Sequence, residues 1–318
     1  MTTSVSPGEQ LDHYRLDDIV VRTATTTTFR GTDLRTNRPV AIKVPHPEME
    51  IDPTFVDRFN RQEEIGKSLS HPGLLKFVAD DHRSQLYLVT EWFDGQPLRQ
   101  ILTEQTKLSS ERAVRIASGV CDVLVYVHGH GIVHRNLRPE KILVGAENHI
   151  KLTGFDVAAK EGAPRLTFTS LAQIVGISPY ISPEELKGKR SDPRGDIYSL
   201  GVILYEMLTG QIPFQGTDPF ERLLKHPVPP RELDPTISPQ LQEVIYRALE
   251  REHQNRYANA HELAVDLANL DRVGVAERPE LRDWKKGQAP LSRKVLLYIA
   301  VALVPLLIFG LLLYFARR

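Results

Sequence analysis

Residues 295–316 carry no charged side chain, and this run limits what the rest of the chain can become. As a helix it would extend about 33 Å at about 1.5 Å per residue, enough to cross a hydrocarbon core of about 30 Å. Pro305 and Gly310 are its only helix-weakening residues, and a proline is tolerated in a membrane helix. A buried helix of a soluble domain would need more chain to cover it, and only Arg317 and Arg318 follow. The expectation is a single-pass transmembrane anchor at the C-terminus. Lys285, Lys286, Arg293 and Lys294 precede the span and outnumber the two arginines after it. The positive-inside bias therefore places the preceding part in the cytoplasm of the cell.

The remaining composition is neutral. Lys plus Arg and Asp plus Glu both number 40, so the charge gives no nucleic-acid footprint. Cys121 is the only cysteine, which forbids an internal disulfide and suits a reducing compartment. It sits in the apolar stretch Ala117–Leu124 and reads as a buried helical thiol. Met1–Pro7 lacks the basic and apolar regions of a signal peptide.

Along the chain the hydrophobic period changes. Residues 1–13 are polar and read as a flexible tail. Val40–Val44 and Gln85–Trp92 are short β-branched or aromatic runs and predict strands. Between them Asp52 can cap a helix from Pro53 to Leu69, with Phe55, Phe59, Ile65 and Leu69 on one face. From about Gln96 the pattern is helical. Ser109 or Ser110 caps a long helix through Val127, Asp196–Thr209 predicts a helix buried all round, and Leu263, Leu267 and Leu270 mark a last amphipathic one. The charged, proline-containing stretch 273–294 reads as a juxtamembrane linker.

The most specific signal is His134-Arg135-Asn136-Leu137-Arg138-Pro139-Glu140-Lys141, followed by Gly154-Phe155-Asp156. It resembles the protein-kinase pattern His-Arg-Asp-Leu-Lys-Pro-Glu-Asn and Asp-Phe-Gly. Val40-Ala41-Ile42-Lys43, Pro183-Glu184, Asp196-Ile197-Tyr198-Ser199-Leu200-Gly201 and Arg256 follow the same family in order. The resemblance covers about residues 14–272 and is nearest to bacterial Ser/Thr kinases of the eukaryotic-like (Hanks) type. It implies an α+β bilobal kinase fold, with a β-rich N-lobe over about 14–93 and a helical C-lobe over about 94–272.

The resemblance also shows what has changed. The catalytic base Asp is Asn136, the adjacent Lys is Arg138, and the two metal-binding positions carry Lys141 and Gly154. Asn136 has no carboxylate to accept the substrate proton, a loss typically worth about 10²–10⁴-fold in rate. Mg²⁺ needs hard oxygen ligands, and Lys141 instead puts an ammonium where the cation should sit. The glycine-rich phosphate loop corresponds to Val21-Arg22-Thr23-Ala24-Thr25-Thr26, which has no glycine and reads as a plain hairpin. Lys43 matches the phosphate-contacting lysine, but the helix glutamate that should pair with it is Gln62. Glu63 would need a register shift to substitute for it. Asp156 reads as a solvated loop residue, with a shifted loop aiming it at a metal as the alternative. Gly176-Ile177-Ser178-Pro179-Tyr180 has Ile177 where the family places a threonine that bonds the catalytic Asp.

The scaffold positions match. The resemblance implies an ion pair between Glu184 and Arg256, Asp196 holding the backbone at His134 and Arg135, and a hinge at Glu91 and Trp92. His128, His130 and His134 suggest metal ligands only until the family pattern accounts for His128 and His134. The reading is a membrane-anchored pseudokinase that binds a cytoplasmic protein, an active Ser/Thr kinase or its substrate. Thr167, Thr169 and Ser170 are candidate phosphorylation sites that could pair with Arg135. No cofactor or metal is expected, Mg²⁺ least of all. An active kinase and an ATP-binding sensor without transfer remain the alternatives.

Overall fold

The computed structural model describes residues 5–78, 83–160, 178–215 and 220–278. The chain divides into two units, Met1–Val275 and Ala276–Arg318, and every element below belongs to the first.

Five antiparallel strands build the first sheet, in the order β1 (Gln10–Leu11), β2 (Tyr14–Arg22), β3 (Thr26–Asp33), β4 (Arg38–Pro45) and β5 (Leu88–Glu91). Strand alternation sends successive side chains to opposite faces. Tyr14, Leu16, Phe29, Val40, Ile42, Val44 and Val89 join one core cluster, whereas Leu88 packs with Phe55 and Phe59. Those two phenylalanines lie on α1 (Pro53–Ser68), whose N-terminus is capped as expected, Thr54 N donating to Asp52 Oδ1 at 2.9 Å. Gly31 is required where β2 and β4 approach β3, since a β-carbon there would lie 2.4 Å from Ile42 Cδ1 and 2.5 Å from the Arg15 carbonyl oxygen.

After β6 (Gly95–Pro97) the chain becomes mainly helical: α2 (Leu98–Gln105), α3 (Ser110–Gly129), α4 (Pro183–Leu186), α5 (Arg194–Thr209), α6 (Glu221–Leu224), α7 (Pro230–Leu233), α8 (Pro239–Ala248) and α9 (Ala260–Ala268). β8 (Ile142–Gly145) lies between β6 and β9 (Ile150–Leu152), and β7 (Ile132–Val133) pairs with β10 (Ala159–Lys160). Every residue of α5 from Gly195 to Leu208 is buried, so this helix is the axis of the lower lobe. Gly201 lets α8 approach it, because a β-carbon there would meet Ala248 Cβ at 2.8 Å. Ser109, not Ser110, caps α3, accepting from Arg112 N at 3.3 Å. Cys121 is fully buried in the same helix, and burial pushes its thiol pKa far up.

Two expectations change. The N-terminal tail is not loose up to residue 13: Gly8 N donates to the Leu16 carbonyl at 2.7 Å, and Gln10–Leu11 pairs with β2. The reason is local, since Leu11 is buried in the sheet's core and Asp12 Oδ2 accepts from Tyr87 Oη at 2.7 Å and Ser84 N at 3.0 Å. The last helix also ends earlier than the leucine spacing suggests, with Leu270 in a separate short turn, Leu270–Arg272. Among the described residues no helix is long and apolar enough to cross a membrane. The span expected at 295–316 and most of the linker lie outside the described residues.

Candidate nucleotide and metal site

The site residues come from four places: β4 gives Lys43, α1 gives Gln62, the His134–Lys141 segment follows β7, and Gly154-Phe155-Asp156 follows β9. Lys43 Nζ donates to Gln62 Oε1 at 3.0 Å, so Gln62 does occupy the position of the helix glutamate opposite Lys43. Glu63 offers no substitute. It faces Arg83 and holds Lys67 at 2.8 Å. Lys43 is thus half-buried against a neutral oxygen and the Phe59 ring, whose centroid is 5.7 Å away. Burial, reinforced by the charge of Lys141 and opposed by that of Asp156, lowers its pKa to about 8.

Gly154 adopts φ +89°, the left-handed region that glycine enters without steric cost. A β-carbon at this position would stand 2.4 Å from Lys141 Cδ and 3.0 Å from Lys141 Nζ. The lysine side chain therefore lies where the side chain of a metal-binding residue would begin. Lys141 Nζ stops 3.7 Å from Asp156 Oδ1, an ion pair without a hydrogen bond. Asp156 is not the solvated loop residue expected from sequence. It lies in the turn Phe155–Val157 with Oδ1 buried and the side chain 30% exposed, close to the cations Lys141 and Lys43. Burial alone would raise its carboxyl pKa, but those two charges carry it below the usual value.

Around this centre the loop is tied down by the His134 ring and by the carboxylate of Asp196. Asn136 N donates to His134 Nδ1 at 3.2 Å, and His134 Nε2 donates to the Thr153 carbonyl at 3.0 Å. Burial holds His134 below its ordinary pKa, consistent with a neutral ring. Asn136 Oδ1 is buried without a hydrogen-bond partner among the described residues. Asp196 accepts from the backbone amides of His134 and Arg135, both at 2.8 Å, and faces His128 Nε2 at 2.9 Å. Arg256 grips Glu184 through two bonds of 2.6 and 2.7 Å in a fully buried pair. Arg138 lies 3.8 Å from Glu140.

The threonine-rich tip between β2 and β3 is a closed hairpin. Thr23 N and Oγ1 both donate to the Thr26 carbonyl, and Thr26 N donates back to Thr23 Oγ1 at 3.0 Å. His46 N holds the Thr25 carbonyl at 2.9 Å from the side of β4. The hinge is fastened as well. Glu91 Oε1 accepts from Lys151 Nζ at 2.5 Å and Lys76 N at 3.1 Å, and Trp92 Nε1 donates to Asp94 Oδ1 at 2.6 Å. Thr167, Thr169 and Ser170 lie outside the described residues.

Sequence alone missed Arg222, whose buried Nη1 donates to the carbonyls of Ser178, Pro179 and Ile181 at 2.8–3.0 Å. It fixes the backbone leading into α4, and no motif points to it. Sequence also missed Arg99, which joins Glu206 at 2.7 Å, Glu140 at 2.9 Å and the Tyr180 hydroxyl.

The family profile for a protein kinase domain matches residues 20–266. The chain belongs to the protein kinase family. It is 33% identical to the serine/threonine-protein kinase PknB of Mycolicibacterium smegmatis over 306 residues, which is 93% of this chain and 46% of that protein. PknB of Mycobacterium tuberculosis is likewise 33% identical, over 291 residues, 88% of this chain and 46% of the relative. The chain thus spans less than half the length of these curated relatives. The crystal structure of the PknI kinase domain of Mycobacterium tuberculosis superposes with a TM-score of 0.66 at 22% identity, covering 84% of this chain and all of that domain, and shows the shared fold.

Mg²⁺ is the metal this family implies, and the residues do not fit it. Its expected ligand positions hold an ammonium and a hydrogen atom, and the nearby carboxylate Asp156 is paired with Lys141. Among the described residues no group of three or more His, Cys, Asp or Glu side chains is arranged to hold a metal. His128, His130 and His134 do not converge: they bond to Asp196, to the Tyr126 carbonyl and to the Thr153 carbonyl respectively.

Proposed function

We propose that this chain is a pseudokinase: a kinase-shaped regulatory module, anchored to the cell membrane by residues 295–316, that binds a cytoplasmic protein without transferring phosphate. One observation carries the reading. The Lys141 side chain occupies the space beside Gly154 where the metal-binding carboxylate of an active kinase would have to start. Metal charge on a transferring phosphoryl group is worth several kcal/mol, and a base at Asn136 would add to it. The catalytic terms act together, so the losses are not simply additive. The scaffold contacts at Asp196 and at Glu184–Arg256 persist, which supports a retained surface more than a retained reaction. The partner class proposed is an active Ser/Thr kinase or its substrate, in keeping with the names of the relatives.

The test is phosphate incorporation from radiolabelled ATP with Mg²⁺ or Mn²⁺, into the chain itself and into a generic basic protein. The proposal expects the same background from the native chain and from Lys43→Met. Incorporation that Lys43→Met abolishes would establish an active kinase instead.

A further inference from the structure

The exchanges at this site share a sign. Relative to the kinase pattern, Gln62 and Asn136 each replace a carboxylate by a neutral amide, Gly154 removes a carboxylate, and Lys141 adds an ammonium to a neutral position. Each exchange makes its position one unit more positive. Asp156, standing where the pattern has glycine, returns one unit of negative charge. The pattern's own residues leave a net negative cleft, which can take a polyphosphate only with divalent cations between them. Here Lys141 pairs with Asp156, and Lys43 lies near enough to feel the charge of both, so among these three groups one positive charge is left over.

That charge is not neutralised internally. Among the described residues the one hydrogen-bond partner of Lys43 Nζ is the uncharged Gln62 Oε1. Lys141 Nζ remains 3.7 Å from Asp156, beyond hydrogen-bond length, and Asp156 Oδ1 has no hydrogen-bond partner there. An ammonium partly withdrawn from water and held only by a neutral oxygen is disfavoured, and an anion relieves that. Burial and mutual repulsion already depress the affinity of Lys43 for its proton, as expected of a centre short of negative charge. Gly154 itself presents no side chain to obstruct Lys141 on that side.

We infer that Lys43 and Lys141 form a metal-independent site for a di- or triphosphate group, with the Lys141 ammonium supplying the charge that a divalent cation supplies in an active kinase. Mg²⁺ is then a competitor, because it neutralises the phosphates in solution and finds no protein ligands in the cleft. The inference concerns binding alone and holds whether or not any phosphate is transferred.

The experiment is a thermal-shift and calorimetric titration of the full chain in detergent micelles, with ATP, ADP or inorganic tripolyphosphate. Each is run once in EDTA and once in excess Mg²⁺. All stabilising ligands should act in EDTA, with an affinity that Mg²⁺ leaves unchanged or lowers. Comparable binding of tripolyphosphate would make the phosphate chain the recognised group, and a preference for ATP would add the nucleoside. Lys141→Gln should weaken binding in EDTA by roughly tenfold or more, the scale of one charge-assisted bond, while Lys141→Arg keeps it. Circular dichroism separates a folding defect from lost binding, and Lys43→Gln provides a second variant with the same expectation. Binding that requires Mg²⁺, no binding under either condition, or full affinity in folded Lys141→Gln would each overturn the inference.

Discussion

Lys141 and Gly154 are sterically coupled: a β-carbon on Gly154 would lie 2.4, 2.8 and 3.0 Å from Cδ, Cε and Nζ of Lys141. The two exchanges that remove the metal ligands are therefore one structural change. A lysine needs the glycine for room, and the glycine leaves a space that the lysine fills.

This coupling predicts a rescue. Gly154→Asp alone should destabilise the domain by about 1–2 kcal/mol, chiefly from the left-handed backbone at φ +89°, with a smaller part from displacing the flexible end of Lys141. In a Lys141→Asn background the same change should cost roughly 0.5 kcal/mol less, because the lysine end that must otherwise move is gone. Urea unfolding of the four proteins in the cycle, followed by tryptophan fluorescence, measures the coupling. Additive effects would mean that the two positions do not share the space.

The Lys43 ammonium predicts a rise in stability with alkaline pH. Its folded pKa of about 8 lies below the ordinary lysine value of 10.5, so the unfolded chain binds more protons between the two. Stability from this group should climb from about pH 8 to about pH 10.5. Lys43→Met should flatten that part of the profile. Gln62→Glu should shift its onset upward, since a carboxylate 3.0 Å from Nζ favours the charged form. A native profile with no dependence on Lys43 across this window would contradict the burial assigned to it.

Glu185 predicts a slope of the opposite sign. It is fully buried beside Glu184 and Asp196, and burial together with those charges raises its pKa to about 7. The folded state then binds the extra proton between about 4.5 and 7, so this group's contribution falls as pH rises through that window. Glu185→Gln keeps an acceptor for Ser182 N and Oγ, which now reach Oε2 at 3.1 and 2.8 Å. The variant should melt higher than the native chain at pH 8 and no higher at pH 4.5. Equal melting temperatures at both values would show that the carboxyl is not the titrating group.

The buried Glu184–Arg256 pair should be costly to break by halves. Arg256→Met leaves Glu184 uncompensated and should cost about 3–5 kcal/mol in chemical denaturation. Glu184→Leu combined with Arg256→Met should recover much of that loss, because no charge is then stranded. A double variant as unstable as the single one would mean that the carbonyl contacts of Arg256 at Glu250, Arg251 and Arg194 dominate instead.

These residues also show what a sequence can and cannot disclose. Gln62 was legible because helix spacing from Phe59 is rigid, and the Lys43–Gln62 bond follows from that register. The threonine hairpin was legible from its β-branched residues and lack of glycine. Asp156 was not, because a loop carboxylate shows its burial only once Lys141 is placed above it. Leu11 was read as part of a polar tail because a two-residue strand is too short to show alternation. Arg222 was invisible for another reason: it binds backbone carbonyls, which every sequence possesses.

The central claim is that protein charge has replaced the metal site, and Mn²⁺ binding measured by electron paramagnetic resonance tests it most directly. Mn²⁺ is titrated into nucleotide with and without the full chain, and the protein-bound signal is compared with that of Lys141→Asn/Gly154→Asp. The native chain should add no bound Mn²⁺ beyond that held by free nucleotide, and the double variant should gain some. A nucleotide-dependent Mn²⁺ site on the native chain would contradict the account.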